Sequence, residues 1–118
     1  MPRILLLPWL AALAVACGQS APTVANDCPE VHQAGCPVDA LTYDTGIGTL
    51  LTERCSPCHA AGGIEATRLL TDYGHASGQR MSIATQLVSC AMPPPDAPPL
   101  STTERQQVLA WLTCGAPR

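Results

Sequence analysis

Two sulfurs and an imidazole lie within five consecutive residues, Cys55-Ser56-Pro57-Cys58-His59. Cysteines separated by two residues can reach the two vinyl groups on adjacent edges of a porphyrin and form thioether bonds to them. A histidine that follows at once can place a ring nitrogen on the iron from the same face. This is the pattern of covalent c-type haem attachment, and it predicts one haem c held by Cys55, Cys58 and His59. The competing chemistry for a Cys-x-x-Cys pair is thiol–disulfide exchange. That chemistry needs a preceding strand and a surrounding sheet, and no strand signal is visible around Cys55.

An iron ligated by one histidine needs a sixth ligand or stays open to small molecules. Cys90-Ala91-Met92-Pro93-Pro94-Pro95 supplies a candidate. A methionine thioether is a soft ligand that favours ferrous iron and raises the reduction potential relative to a second histidine. The adjoining prolines would stiffen the loop that holds the sulfur. A lone Met is commonly core filler, but a Met beside three prolines is poorly placed for that. The metal ligands expected are therefore His59 and Met92. Met81 is a rival, although its helical spacing with Ala84 and Val88 suits a core or pocket-lining residue. His75 is the other rival and would give bis-histidine ligation. His32 reads as a solvated polar residue.

These groups must be positioned by helices. From about Thr42 to Arg54, Ile47, Leu50 and Leu51 recur at three- and four-residue steps that continue to Cys55 and Cys58. Thr42 or Asp44 can cap the start. Gly46 and Gly48 each cost about 1 kcal/mol in a helix interior, which suggests close approach of another helix. Glu65 to Leu70 reads as a short helical turn. A second helix is expected from Ala76 or Ser77 to about Ser89, with Ile83, Ala84, Leu87 and Val88 on one face. The proline-rich stretch from Met92 to Pro99 excludes helix and central strand. Ser101-Thr102-Thr103-Glu104 is a capping box. The helix it opens carries Val108, Leu109, Trp111 and Leu112 and should end near Cys114-Gly115, where Gly suits a C-terminal cap. No strand is predicted, so the domain should be all-α.

A helix leading into Cys55-Ser-Pro-Cys-His59, a Met92-Pro-Pro loop about thirty residues on, and a closing helix with Ala110-Trp111-Leu112 together resemble a class I cytochrome c domain. The resemblance covers roughly residues 41–117, and the ending from Trp111 to Pro117 resembles small bacterial haem lipoproteins of this type. It implies three to four short helices around one covalent haem. It also implies that the first and last helices cross near the haem edge, with His59 and Met92 as axial ligands and Trp111 packed at the crossing. The chain departs from the family pattern at Leu51, where an aromatic is common, and at Ile47, where Gly is common. Tyr73, Arg68 and Arg80 are candidate partners of the haem propionates.

The first sixteen residues read as a lipoprotein signal peptide: Arg3 gives a positive start, and an apolar run ends in Ala14-Val15-Ala16 before Cys17. Cleavage there would leave Cys17 lipidated and the protein anchored on the periplasmic side of a bacterial membrane. Gly18 inclines the choice toward the outer membrane. Residues 17–39 are small, polar and Pro-rich, and read as a flexible tether; residues 40–118 form the domain.

Seven cysteines then divide into Cys17 for lipid, Cys55 and Cys58 for haem, and an even set of four. An oxidising compartment favours two disulfides. Of three connectivities, Cys28–Cys36 and Cys90–Cys114 are preferred over the others and over a zinc site. Six basic and nine acidic residues, with no lysine, exclude a nucleic-acid partner. The absence of Phe makes for a core that is marginal alone, which a buried haem would complete. The chain therefore reads as a monomeric, membrane-tethered electron carrier that meets redox proteins, and not as an enzyme. The alternatives are a haem-based sensor or peroxidase-like enzyme with a labile sixth ligand, and a thiol–disulfide oxidoreductase.

Overall fold

The computed structural model describes residues 35–118. The expected signal peptide, the expected lipidation site Cys17, Cys28, His32 and most of the expected tether lie outside the described residues. Four α-helices and no strand occur among them, so the domain is all-α.

The first helical segment opens with a π turn, Tyr43–Ile47, and runs on as α1, Gly48–Arg54. Thr42 caps it: its hydroxyl accepts from the Thr45 N–H at 3.3 Å, and Thr45 Oγ1 accepts from the Thr42 N–H at 2.8 Å. The reason for glycine at 48 is local rather than a neighbouring helix. A Cβ there would come within 2.9 Å of the Tyr43 ring, which folds back over its own segment.

The second predicted helix is two helices. α2, Tyr73–Gly78, begins earlier than Ala76 because Asp72 accepts from the His75 N–H at 3.0 Å. The break falls at Gln79, and α3, Arg80–Val88, follows. Gln79 is held there by its own side chain, which donates to Leu69 O at 2.8 Å. Leu87 is buried and Ile83 and Ala84 pack against the core, but Val88 is half exposed. Residues 65–70 form turns rather than helix.

The last helix, α4, is Thr102–Thr113. Both bonds of the expected capping box are present: Glu104 N–H to Ser101 Oγ at 3.1 Å, and Ser101 N–H to Glu104 Oε2 at 2.7 Å. At its far end the Ala116 N–H reaches Trp111 O at 2.9 Å and the Gly115 N–H reaches Leu112 O at 3.2 Å. That pair of bonds is a Schellman closure, with Gly115 at φ 84°.

The closure turns the C-terminal tail back onto the start of the domain. Pro117 O accepts from both the Tyr43 N–H (3.0 Å) and Trp111 Nε1 (2.7 Å), and the Tyr73 hydroxyl donates to Ala116 O at 3.2 Å. Trp111 is fully buried, with the Tyr43 ring 6.3 Å away and Tyr73 5.4 Å beyond that in an edge-to-face arrangement. Tyr43 thus supplies an aromatic partner for Trp111 while Leu51 stays aliphatic. Ile47, Leu51, Val108, Leu109 and Trp111 form the centre of the core, where the Tyr43–Ile47 turn and α3 both pack on α4.

This return of the tail also corrects the expected disulfides. Cys36 is bonded to Cys114, with Cα atoms 4.9 Å apart. Neither Cys28–Cys36 nor Cys90–Cys114 is formed. The preferred pairing rested on short loops, but the fold sets residue 36 beside the end of α4 across 78 residues of sequence. Cys90 is also disulfide-bonded.

Candidate functional site

α1 ends where the Cys55 and Ser56 N–H groups both reach Leu51 O, at 2.9 and 3.0 Å. The chain then winds through one more turn, with Cys58 N–H and His59 N–H both donating to Cys55 O. Residues three and four apart on such a turn share a face. Accordingly Cys55, Cys58 and His59 line one cavity, while Ser56 and Pro57 do not.

The cavity has a volume of about 450 Å³, within the range of roughly 300–1,000 Å³ usual for small-molecule and cofactor sites. Its apolar wall comes from three helices and a loop: Leu51 of α1, Ile83 and Leu87 of α3, Leu100, and Val108 of α4. Met92, Pro93 and Pro94 line it from the loop between α3 and α4. Met92 is held by its N–H, which donates to Gln86 O at 3.2 Å. The rivals for the sixth position stand elsewhere. Met81 is 72% exposed and does not line the cavity, which corrects its reading as core or pocket lining. His75 is also absent from the wall, and its Nδ1 is paired with Asp72 Oδ2 at 2.5 Å.

His59 Nδ1 lies 2.8 Å from Arg68 O. A carbonyl oxygen can only accept, so Nδ1 carries a proton, and in the neutral imidazole Nε2 holds the lone pair. Nε2 makes no hydrogen bond among the described residues. A histidine fixed in this tautomer by a backbone carbonyl has the arrangement typical of a metal-ligating imidazole. The acceptor is presented by a tight loop: Gly63 N–H bonds Ala60 O, Glu65 N–H bonds Cys58 O and Leu70 N–H bonds His59 O, at 2.9, 3.0 and 2.9 Å.

Cys55 and Cys58 are free thiols. Burial, and to a lesser degree the neighbouring Cys58, pushes the Cys55 thiol up to about 11. A thiol with that pKa is scarcely ionised near neutrality and makes a poor nucleophile for disulfide exchange. No group of three or more His, Cys, Asp or Glu among the described residues is arranged to hold a bare metal ion. The sulfur and imidazole donors Cys55, Cys58, His59 and Met92 instead line one cavity together with apolar side chains.

Of the residues expected near propionates, Arg68 lines the cavity, with Nη1 3.2 Å from Glu65 Oε2. Arg80 and Tyr73 do not, and the Tyr73 hydroxyl is engaged with the C-terminal tail. Arg54 lines the cavity too and was not anticipated; its Nε donates to Glu104 Oε1 at 2.8 Å and ties the end of α1 to the start of α4. The Ser101 N–H and then Arg54 hold the Glu104 carboxyl below its ordinary range. Arg105 is a second residue that sequence reasoning missed. It is buried on α4 with Nη1 donating to Leu87 O at 2.6 Å. Its signal was present: 105, 108, 109 and 112 are a single helical face.

No protein-family model, no curated protein and no solved structure matches the chain. No helix among the described residues is long and apolar enough to cross a membrane.

Proposed function

We propose that the chain is a mono-haem c-type cytochrome of the class I kind that carries electrons, with Cys55 and Cys58 as thioether anchors and His59 and Met92 as axial ligands. The observation that carries this reading is the His59 Nδ1–Arg68 O hydrogen bond. It leaves Nε2 as a ready donor on a cavity wall that also holds two reduced cysteines and a methionine. The chemistry supplied by a bound haem is the gain and loss of one electron at iron.

The chain's own residues do the rest. Leu51, Leu87, Leu100 and Val108 exclude water from the ring, which keeps the energetic cost of a charge change on the iron under protein control. The Arg68 carbonyl raises the basicity of His59 and fixes its ring orientation. The Met92 thioether favours the ferrous state and sets a higher potential than histidine would. With His59 and Met92 both ligating, the iron would be closed to small molecules, which would suit electron transfer rather than gas sensing or peroxide chemistry. The high pKa of Cys55 speaks against thiol–disulfide exchange as the role of the pair. In the same reading Cys17 carries lipid and holds the domain on the periplasmic side of a membrane. There a tether keeps it at high effective concentration for redox partners. An acidic chain of net charge −3 would dock on basic patches of those partners.

The test is to produce the protein with the c-type maturation machinery and record spectra of both oxidation states, with and without carbon monoxide. Haem should stay with the polypeptide through denaturation, a Met-to-iron charge-transfer band should be present in the ferric state, and ferrous protein should resist carbon monoxide. Met92→Ala should abolish the band and admit carbon monoxide, while Met81→Ala should change neither. Absence of covalent haem would sink the reading. Loss of the band in Met81→Ala would overturn the ligand assignment.

A further inference from the structure

Arg105 is the one buried charged residue among those described, with 6% of its surface exposed. A guanidinium has five donors. Here Nη1 makes one short bond, to Leu87 O at 2.6 Å, and the buried Nε has no hydrogen-bond partner. Such an arrangement is a poor source of stability, since apolar residues of similar volume commonly replace buried charges at no loss or with a gain. What the bond does is more specific. Leu87 belongs to the last turn of α3, where carbonyls have no partner within the helix.

Those carbonyls carry the Met92 segment. Leu87 O also accepts from the Cys90 N–H at 3.2 Å, and Gln86 O accepts from the Met92 N–H at 3.2 Å. Between them Cys90 sits at φ 54°, in the left-handed region. A non-glycine residue stays there only where its surroundings fix it. Leu87 itself is buried and lines the cavity beside Met92.

We infer that Arg105 is a positioning residue for the sixth ligand: by gripping the Leu87 carbonyl from α4, it fixes the end of α3 from which Cys90–Met92 is hung and so holds the Met92 thioether at the cavity. The inference rests on the haem reading above and names how that site keeps its sixth position closed. Arg105 does not line the cavity and acts only through the backbone. Its removal leaves Cys55, Cys58, His59 and Met92 all in place in the sequence. The attachment chemistry is therefore unaffected, and the change falls on how firmly Met92 is held.

The experiment uses matured haem protein carrying Arg105→Met and, separately, Arg105→Lys. Three readouts are taken: the ferric Met-to-iron band, carbon monoxide affinity of the ferrous form, and helical ellipticity. Arg105→Met should retain covalent haem and helix content, lose most of the band, and bind carbon monoxide at least about tenfold more tightly than the parent, the scale set by losing a hydrogen bond from a charged donor. Arg105→Lys, which can still donate to the carbonyl, should recover part of both effects. A full band and unchanged carbon monoxide exclusion in Arg105→Met overturns the inference. So does loss of the band in step with loss of helix in both variants, since that makes Arg105 a requirement of the fold alone. Absence of covalent haem from the parent protein is a different result: it refutes the haem reading and takes the sixth ligand with it.

Discussion

Gly63→Ala probes the loop that presents the His59 acceptor. A Cβ at residue 63 would run into the Cys58 carbonyl oxygen, and would stand 2.8 Å from the Cys58 carbonyl carbon and 3.2 Å from Ala60 O. These are backbone atoms and cannot swing aside as a side chain could. Ordinary contact begins at 3.4 Å, so the Cys58 carbonyl oxygen must retreat by roughly 1.2 Å. It cannot do so freely. Cys58 O accepts the Glu65 N–H at 3.0 Å, Gly63 N–H is bonded to Ala60 O, and the next residue carries the bond from His59 Nδ1 to Arg68 O. Overpacking of this kind costs about 1–3 kcal/mol, and a lost backbone hydrogen bond adds about 0.5–1.5 kcal/mol. The expected destabilisation is therefore about 1.5–4.5 kcal/mol. It should be read from urea denaturation followed by Trp111 fluorescence or ellipticity, together with the fraction of chains that retain haem after denaturation. Because the displaced peptide joins Cys58 to His59, the proposed haem attachment predicts that haem loading should fall as well. A variant within about 0.5 kcal/mol of the parent and fully loaded with haem would show that the close approach of Gly63 to Cys58 is not a constraint.

Further outcomes follow from particular contacts. Trp111→Phe removes the 2.7 Å bond to Pro117 O and leaves a gap in a fully buried site; it should cost about 2–3 kcal/mol in urea denaturation, and an unchanged midpoint would show that the tail does not depend on it. Cys114→Ser opens a loop of 78 residues and should lower stability by about 4 kcal/mol in urea denaturation; an unchanged midpoint would show that the bond does not constrain the unfolded chain. Asp72 and Glu104 have carboxyls held below their ordinary range, Asp72 chiefly by the His75 N–H and Glu104 chiefly by the Ser101 N–H and then Arg54. Groups depressed by folding contribute fully above their unfolded value of about 4 and lose that contribution as pH falls through the folded value. The urea midpoint should thus hold from pH 7 to about 5 and fall below about 4, more shallowly in Glu104→Gln; a midpoint insensitive to acid would contradict the assignment.

The local devices were legible because they depend on neighbours in sequence. The Ser101–Glu104 capping box, the Thr42 cap, the glycine closure after α4 and the absence of strands all follow from residues within one or two turns. The same holds for Cys55, Cys58 and His59 sharing a face, because three- and four-residue spacing does that on any helical turn. α2 was misjudged for a local reason too: Asp72 caps the helix ahead of Ala76, and Gln79 breaks the run by bonding back to Leu69 O.

What the sequence by itself determined, then, is the set of donors and the helices that carry them. Only the tertiary structure decided which donors meet. It set Met92 on the cavity wall and left Met81 and His75 off it, although all three lie within twenty residues of one another. It put Cys36 against Cys114 because the Schellman turn and the Pro117 bonds bring the two ends of the domain together, a proximity that loop length cannot reveal. It buried Arg105 because a helical face is filled according to what packs against it, and here the end of α3 offers a carbonyl with no partner inside the helix. And it gave His59 its tautomer, since a proton on Nδ1 needs an acceptor nine residues away that no spacing rule supplies.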